Sequence, residues 1–468
     1  MWWVPGILLA WLACGASVAS AGAGDLSSAD APRGRLDIPA AAPPRADSAR
    51  LLRLACAGFE LAASRSVEGE RWLADFDRGF WRSEGFEAVA EAGLALERGP
   101  WRGRLLWRGA LGAELPARGR ILEGWAGRET PRWTAWLGRR SILWTPVDAA
   151  TLISPHARAL DQIGGCYRSP RLPRVGGCLE AETFLGYLDD TQRTVPCPLL
   201  WGMRAGWTLD GLLRVEALRT IMLGGGDRGS RLRPKDILHI FFGRGETTSA
   251  SSTGPEYFPP WETDQKFAWH VTVGPTSWVR QTFGIHDAEA FWIYAGEDRF
   301  RGLAPTAPAR AYGLRLHPRP GVAFTLTWID TVDDGNLWYH HKIYLSGYTY
   351  RGVVLGHPAG GDARSIRLGL WLSGPAGMRL EMRATREERG YEFAGRGVEA
   401  GGYWNGRLSA SIPVRSWRAS VTIGSTMPWD GDRQLERMYE RLVSLRLGWS
   451  EVPVTSEITR TEVWGIPD

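Results

Sequence analysis

A cluster of charged and aromatic residues lies between residues 330 and 367 of the chain. Aromatic faces stack on the C–H surfaces of sugar rings, while aspartate and arginine side chains form hydrogen bonds with hydroxyl and carboxylate groups. These residue types therefore predict a glycan-binding site. Its candidate residues are Asp330, His340, His341, Tyr348, Tyr350, Arg351, His357, Asp362 and Arg364.

The same cluster also has a purely structural interpretation. A wide barrel lumen must be filled, and its polar side chains then pair with one another. That interpretation is preferred for any single residue of the cluster. For the segment as a whole we favour a functional role, because YTYRGVVLGHPAGGDAR interrupts the strand pattern with glycines that a regular strand would avoid.

Two smaller clusters are further candidates. The first consists of His156 and Arg158, preceded by Arg139 and Arg140. Adjacent residues of a strand point to opposite faces, so one of these two arginines must lie near lipid. Trp136 and Trp144 are therefore expected to mark a membrane boundary, and this cluster is interpreted as structural. The second consists of Glu297 and Arg299, a charged loop rim that could contact an anionic glycan.

Catalytic and metal-binding patterns are absent from the sequence. It contains no Gly-x-Ser-x-Gly elbow and no His-Glu-x-x-His pair. Asp333 and Asp334 are adjacent, which is the wrong placement for flanking one glycosidic bond from a strand. No Cys-x-x-Cys or paired Cys/His spacing occurs. We expect a non-enzymatic protein without metal or cofactor.

Two cysteines flank a loop rich in glycine and proline. Cys166 and Cys178 bracket YRSPRLPRVGG. An oxidising periplasm would allow a disulfide to close this loop. A bridge and a pair of free thiols both remain open.

The elements that must position these residues are strands. From about residue 86 onward, apolar residues recur at every second position, as in Val322, Phe324, Leu326 and Trp328, and turns rich in Gly, Pro and Asp separate the runs. Tilted transmembrane strands need such repeats of about ten residues. Arg379, Glu381 and Arg383 share one polar face, which suits a wet lumen better than the outer face of a soluble sandwich. The fold class is all-β, a transmembrane antiparallel β-barrel of about 18 strands.

The N-terminal region indicates secretion and sets the domain boundaries. Residues 1–21 read as a signal peptide with an Ala-Ser-Ala cleavage site. Residues 22–85 are expected to be a periplasmic leader, with a helix or a first strand at 47–65, and residues 86–468 the barrel. No later apolar stretch reaches the roughly 18 residues of a transmembrane helix. The 58 glycines and 25 tryptophans fit turns, strands and membrane interfaces.

Several segments, in order, resemble the Wzi family of capsule-assembly outer-membrane proteins. They are WLGRRSILWTPVDAATLISPHARAL (136–160), LLRVEALRTIMLGGGDR (212–228), the DQKFAWHVTV strand, YAGEDRFRGLAP and residues 329–372. The resemblance implies an 18-stranded barrel that attaches capsular or exopolysaccharide like a lectin. Residues 22–85 match poorly the helical bundle with which the family usually opens.

The combined expectation is a non-enzymatic barrel of the outer membrane of a Gram-negative bacterium. It would bind and anchor an acidic capsular or exopolysaccharide through arginine and aromatic side chains. Arginine suits this partner because it binds carboxylates in a bidentate manner, and lysine occurs only at positions 235, 266 and 342. The other expected partner is outer-membrane lipid; nucleic acid is not expected, and the protein should be a monomer. The alternatives are a passive porin and, ranked below it, an outer-membrane hydrolase.

Overall fold

The computed structural model describes most of the chain after residue 51. The described residues are 52–66, 85–112, 117–209, 211–229, 233–242, 259, 261–297, 300–301, 304–305, 308–332, 338–390, 401–428 and 440–450. The predicted signal peptide, residues 1–21, lies outside them and stays a prediction.

Strands dominate the structure. In chain order they are β1 (Leu52–Ser66), β2 (Gly85–Arg98), β3 (Trp101–Gly112), β4 (Arg118–Glu129), β5 (Trp133–Arg140), β6 (Leu160–Arg168), β7 (Cys178–Tyr187), β8 (Leu199–Leu209), β9 (Leu213–Leu223), β10 (Asp264–Val273), β11 (Asp287–Glu297), β12 (Phe300–Arg301), β13 (Ala304–Pro305), β14 (Pro308–Arg319), β15 (Val322–Asp330), β16 (Thr349–Tyr350), β17 (Val353–Val354), β18 (Ala363–Ser373), β19 (Arg379–Arg389), β20 (Gly401–Val414), β21 (Trp417–Pro428) and β22 (Glu440–Ser450).

Eighteen of these strands form one closed antiparallel sheet, as the sequence predicts. Each wall strand pairs with its neighbours in the chain, and β1 pairs with both β2 and β22, which closes the barrel. The other four strands form two small hairpins in loops, β12 with β13 and β16 with β17.

Helices are few and short. They are α1 (Gly226–Gly229), α2 (Pro234–Phe241) and α3 (Ser277–Phe283), with 3₁₀ turns at Val147–Ala149 and Pro375–Gly377. None of the helices in the described part of the chain is long and apolar enough to cross a membrane.

The predicted alternation of apolar and polar side chains is confirmed along the wall. In β2, Phe86 points outward and is 66% exposed, whereas Glu87 and Glu91 point inward and are buried. The outward face of β18 carries Ile366 and Leu368, both exposed. The outer wall is therefore apolar and the inner wall polar, the pattern that a bilayer imposes on a barrel.

Aromatic residues lie on the outer wall near both ends of the strands. Trp101, Trp133 and Trp417 start β3, β5 and β21 at one end, and all three are exposed. Towards the other end, the rings of Tyr312 and Trp328 on neighbouring strands are 5.2 Å apart. Such aromatic rows at both interfaces are typical of transmembrane barrels.

The two ends of the barrel differ in the length of their connections. We call one the short-turn end, because tight turns such as 99–100, 320–321 and 415–416 join the strands there. The first residue of β1 and the last residue of β22 also lie at this short-turn end. The other is the long-loop end, and its connections include residues 141–159, 188–198, 224–263 and 331–362.

The barrel includes residues ahead of position 86, which corrects the expected boundary. Of the two alternatives for residues 47–65, a helix or a first strand, the structure has strand β1, paired along its length with β22. The alternation in β1 is weak because several of its positions are alanine or glycine, although Phe59 and Leu61 do point outward.

Of the two alternatives for Cys166 and Cys178, a bridge or free thiols, the structure has free thiols. Cys166 lies opposite Glu182 in the pairing of β6 with β7, and Cys178 is the first residue of β7, four positions before Glu182. That offset is about 13 Å along a strand. A disulfide requires Cα atoms within about 7 Å. The segment between the cysteines is thus a connection between two wall strands.

Cross-strand ion pairs fill much of the inner wall. Glu91 accepts from Arg108 at 2.7 Å and from Arg446 at 3.4 Å. Arg204 contacts Glu182 at 3.1 Å and Glu216 at the same distance. These buried charges each have an opposite charge beside them, as burial requires.

The connection between β15 and β18, residues 331–362, folds back into the lumen at the long-loop end. We call it the plug segment. Its side chains Trp338, Tyr344 and Tyr348 are fully buried. They belong to a core that includes inward-facing residues of the wall, among them Leu218 and Ile293.

A buried charge cluster anchors the plug segment to the wall. Lys266 of β10 is fully buried, and its Nζ lies 2.7 Å from a carboxylate oxygen of Asp264 and 2.7 Å from one of Glu297. Glu297 also accepts a hydrogen bond of 2.8 Å from the backbone N–H of Tyr339 in the plug segment. The Lys266 Nζ lies 4.6 Å from the ring centre of Tyr348. One wall lysine therefore links two carboxylates and an aromatic ring.

Replacing Lys266 should release the plug segment. In Lys266→Met, two carboxylates remain buried without their cation, and breaking a buried pair in this way costs about 3–5 kcal/mol. We expect residues 338–362 to become sensitive to added protease in the folded barrel. The matched control is Lys235→Met, because Lys235 is exposed on α2, outside the plug segment. Equal protease resistance of both variants would contradict this role of Lys266.

Candidate functional site

A tight hairpin places Arg351 at the long-loop end. Arg351 and Gly352 connect β16 and β17, and both have positive φ angles, 52° and 77°. Two such residues make a type I′ turn, for which glycine is well suited at the second position. The glycine that interrupts the strand pattern in the sequence is therefore required by this turn.

The connection 188–198 holds this hairpin. The Arg351 guanidinium donates to Asp189 Oδ2 at 2.6 Å, and its backbone N–H donates to Asp190 Oδ2 at 2.9 Å. Tyr350 donates its hydroxyl to Asp189 as well. Burial raises the pKa of Asp189. The hydrogen bonds from Tyr350 and Arg351, together with the charge of Arg351, lower it by more, so the pKa lies below its usual value.

The predicted aromatic residues are buried and cannot offer a face to a sugar. The Tyr348 hydroxyl donates to Thr220 Oγ1 at 2.9 Å, and its ring stacks on Tyr339 at 5.9 Å. The Tyr350 side chain is 1% exposed. Tyr348 and Tyr350 therefore fill the lumen and pair with neighbouring polar groups, which is the second of the two interpretations of this cluster.

The histidines of the site are mostly buried as well. His156, His341 and His357 are each less than 9% exposed, whereas His340 is exposed. The backbone N–H of His357 donates to the Tyr339 hydroxyl at 3.1 Å. Burial, and then the charges of Arg389 and Arg367, lower the pKa of His156 to about 3. Burial and Arg367 likewise hold the pKa of His357 well below its usual value.

The remaining predicted residues lie at the plug boundaries. Asp330 and Arg364 form a cross-strand ion pair of 3.3 Å where β15 and β18 meet the plug segment. Asp362 is buried, and its backbone adopts the left-handed conformation, with a φ angle of 55°. Glu297 anchors the plug segment through Lys266, as described above. Arg299 lies outside the described residues.

The predicted residues thus do not converge on one site. Most of them position the plug segment, and only the Arg351, Arg158, Arg364 and His340 side chains are substantially exposed or half-exposed. Among the described residues, no group of three or more His, Cys, Asp or Glu side chains could hold a metal ion.

A small cavity beside Arg158, with room for about one water-sized group, is the candidate position for a ligand atom. It lies where β5 ends and β6 begins, and loop 141–159 together with Leu355 of the plug segment completes its lining. Two buried polar atoms in this lining, Arg140 Nη1 and Ser141 Oγ, have no hydrogen-bond partner in the described structure. Buried polar atoms are normally paired, so these two donors indicate a place for an acceptor, either a water or an oxygen atom of a ligand.

Electrostatics favour an anion in this cavity. Burial lowers the pKa of Arg158, and the neighbouring charge of Arg351 lowers it further. The Arg140 guanidinium lies over the rings of Trp136 and Trp125, with centroid distances of 4.2 and 4.9 Å. Arginine recognises carboxylate and phosphate groups in a bidentate manner. The cavity therefore has the chemistry for one anionic group.

Arg140 belongs to a cluster that the sequence predicts to be structural, and no ligand is predicted for it. The prediction that Trp136 and Trp144 mark a membrane boundary is wrong, because both side chains are buried inside the barrel. The outward arginine is Arg139, which donates to Asp161 Oδ2 at 2.5 Å. The sequence signal for this site is the pair of adjacent arginines, which point to opposite faces of β5. Arg140, the one that faces the lumen, is the candidate for ligand binding.

Comparisons with known proteins find similar solved structures. The structure resembles that of Wzi from Escherichia coli, described as a carbohydrate-binding outer-membrane β-barrel involved in group 1 capsule assembly. The two chains are 16% identical, the match covers 85% of each, and the TM-score is 0.61. OpdQ of Pseudomonas aeruginosa is 10% identical over 85% of this chain and 97% of its own, with a TM-score of 0.47. No curated protein sequence matches the chain.

At these identities the structural likeness establishes the fold alone. The family itself rests on the sequence. The family described as capsule assembly protein Wzi matches residues 65–440, which span most of the barrel from the end of β1 to the start of β22. The chain is an outer-membrane β-barrel and belongs to the capsule assembly protein Wzi family.

Proposed function

We propose that this protein is a non-enzymatic barrel that binds an acidic capsular or exopolysaccharide and holds it at the cell surface. The carrying observation is the cavity with the unpaired donors Arg140 Nη1 and Ser141 Oγ beside Arg158. In outer-membrane barrels the long loops face the outside. The cavity, at the long-loop end, would then be on the side where a surface polysaccharide lies.

The E. coli relative, which is described as carbohydrate-binding, supports a glycan ligand, and the charges favour an acidic one. A uronic acid carboxylate would accept hydrogen bonds from Arg140, Ser141 and Arg158. The Arg351 hairpin lies beside this cavity and would contact the next part of the chain. Arg158 and Arg351 are therefore the residues that we assign to the glycan.

Arg158→Gln should weaken binding of acidic polysaccharide. A hydrogen bond to a charged group contributes about 1.5–3 kcal/mol, so the dissociation constant should rise about tenfold or more. Titration of the purified barrel with an oligosaccharide that contains uronic acid measures the change. The matched control is Arg174→Gln, an exposed arginine in the turn 169–177 at the short-turn end. Unchanged affinity of Arg158→Gln, or equal binding of a neutral oligosaccharide, would contradict the assignment.

The alternative function is a passive porin, and conductance separates the two. The plug segment and loop 141–159 both pack in the lumen, where Arg367 of β18 donates to Asp148 at 2.7 Å. We therefore expect single barrels in planar bilayers to show little steady conductance. Lys266→Met, which removes the anchor of the plug segment, should raise it. A large steady channel in the unmodified protein would favour the porin.

Acid should loosen the lumen packing. The folded-state pKa of His156 is about 3, below its ordinary value of 6.5, and that of His357 is also lowered. Both histidines are therefore neutral in the packed state and gain protons once released. Their contribution to stability is complete above about pH 6.5 and decreases as the pH falls towards 3.

Hydrogen exchange of residues 141–159 and 338–362 at pH 7.5 and pH 4.5 tests this dependence. We expect faster exchange at pH 4.5, and a smaller acceleration in a double variant that carries His156→Gln and His357→Gln. The pKa of Asp148 is lowered: burial raises it, but the charges of Arg367 and Arg383 and the hydrogen bond from Arg367 together lower it by more. Its effect is thus confined to pH values below its ordinary pKa of 3.8. Identical pH dependence in the double variant would assign the effect to other groups.

A further inference from the structure

Helix α2 packs on the outside of the barrel, at the long-loop end. In β9, Leu218, Thr220 and Met222 face the lumen core, so the alternate residues Ile221 and Leu223 face outward. Ile221 is nevertheless fully buried, because Ile240 of α2 covers it together with Leu223. The connection 224–263 therefore carries a helix back over the outer wall.

Several contacts hold the helix in this place. Outward-facing Arg219 donates to the carbonyl oxygens of Ile240 and Phe241 at the C-terminal end of α2. The ring of Phe241 lies 5.9 Å from that of Trp201 on the outer face of β8. The side chain of Asp236 accepts the backbone N–H of Arg233 at 2.8 Å, which fixes the N-terminal turn. Hydrogen bonds at both ends of α2 therefore fix its position on the outer wall.

The helix presents three different faces, since successive residues are rotated by about 100°. Asp236 and Ile240 form the buried face against the wall. The second face is apolar yet exposed and consists of Ile237, Leu238 and Phe241, extended by Phe242, which is 73% exposed. The third face is basic and exposed and consists of Lys235 and His239, with Arg233 at the start.

The apolar face of α2 is continuous with the lipid-facing wall of the barrel. Exposure of such an apolar patch to water would cost free energy, whereas the lipid hydrocarbon next to the wall would cover it. The basic face then lies at the level of the lipid headgroups, where a cation is attracted to an anionic leaflet. Lys235 is one of only three lysines in the chain, and the other two, at 266 and 342, are engaged with carboxylates.

We propose that α2 is a binding site for a phosphorylated glycolipid of the outer leaflet. Ile237, Leu238, Phe241 and Phe242 would contact the acyl chains, while Arg233, Lys235 and His239 would contact the phosphate groups of the headgroup. The site lies on the outer wall and is separate from the glycan cavity inside the barrel. It would hold the barrel at a fixed depth and tie its long-loop end to the lipid surface.

The test compares the full barrel in nanodiscs that contain lipid A with nanodiscs of phosphatidylcholine alone. Lipid A retained after purification is counted by native mass spectrometry. The double variant with Arg233→Gln and Lys235→Gln should retain less, by about fivefold for each charge removed. Arg174→Gln at the short-turn end is the matched control and should retain lipid A as the unmodified protein does.

Hydrogen exchange of residues 233–242 provides the second readout. It should be slower in lipid A nanodiscs than in phosphatidylcholine nanodiscs, and inorganic phosphate added to the latter should not reproduce the effect. Leu238→Asp, at an exposed position, should accelerate exchange in both bilayers. Equal lipid A retention by the double variant, or unchanged exchange in Leu238→Asp, would overturn the proposal.

Discussion

The backbone hydrogen bonds of a strand cannot be left open in hydrocarbon, and the rest of this structure depends on that constraint. The pairing of β1 with β22 satisfies the last two edges of the sheet. Once the sheet is closed, side chains alternate between lipid and lumen along a strand, except at a few register shifts such as the one in the pairing of β3 with β4. The lipid side then needs apolar residues and interfacial aromatics, and the lumen side needs charges that balance one another.

The need to balance charges in the lumen explains why most residues that the sequence predicts to bind a glycan instead hold the plug segment against the wall. Arg108 and Glu91 pair across strands, and the same rule operates where the plug segment meets the wall at Lys266 and Glu297. A segment held by buried charges and buried tyrosines is rigid. Rigidity is useful for the proposed function, because the Arg351 hairpin and the cavity at Arg158 keep their positions without a ligand, and binding then costs little ordering.

The fold could be predicted from the sequence because its determinants are local. A period of two repeated over residues 322–328 or 366–372 needs no tertiary information, and strand length limits the number of strands. The first strand was ambiguous, since alanine and glycine carry little polarity contrast in Leu52–Ser66. The choice between a cysteine bridge and free thiols stayed open because it depends on register, which the spacing of Cys166 and Cys178 does not reveal.

The site was harder to predict, for a physical reason. Tyr348 and His357 have the residue types of a sugar site, but the plug segment folds back and buries them against β9 and loop 141–159. Burial of this kind is a tertiary outcome with no signal in the segment itself. Arg140 was missed for the opposite reason: its importance comes from an unpaired donor atom, which only the arrangement of its neighbours can show. The resemblance to a capsule-assembly family indicated a glycan partner, the arginine content indicated an acidic one, and the geometry indicates where an anionic group would bind.

We propose that this barrel holds an acidic polysaccharide on the cell surface through the cavity at Arg158. The amount of cell-attached acidic polysaccharide, measured in a deletion strain complemented with either the unmodified protein or Arg158→Gln at equal levels of folded barrel, tests this proposal. We expect the unmodified protein to restore attachment and Arg158→Gln to restore clearly less, with the missing polysaccharide released into the medium. Attachment that is unchanged by the deletion, or restored equally by both proteins, would contradict it.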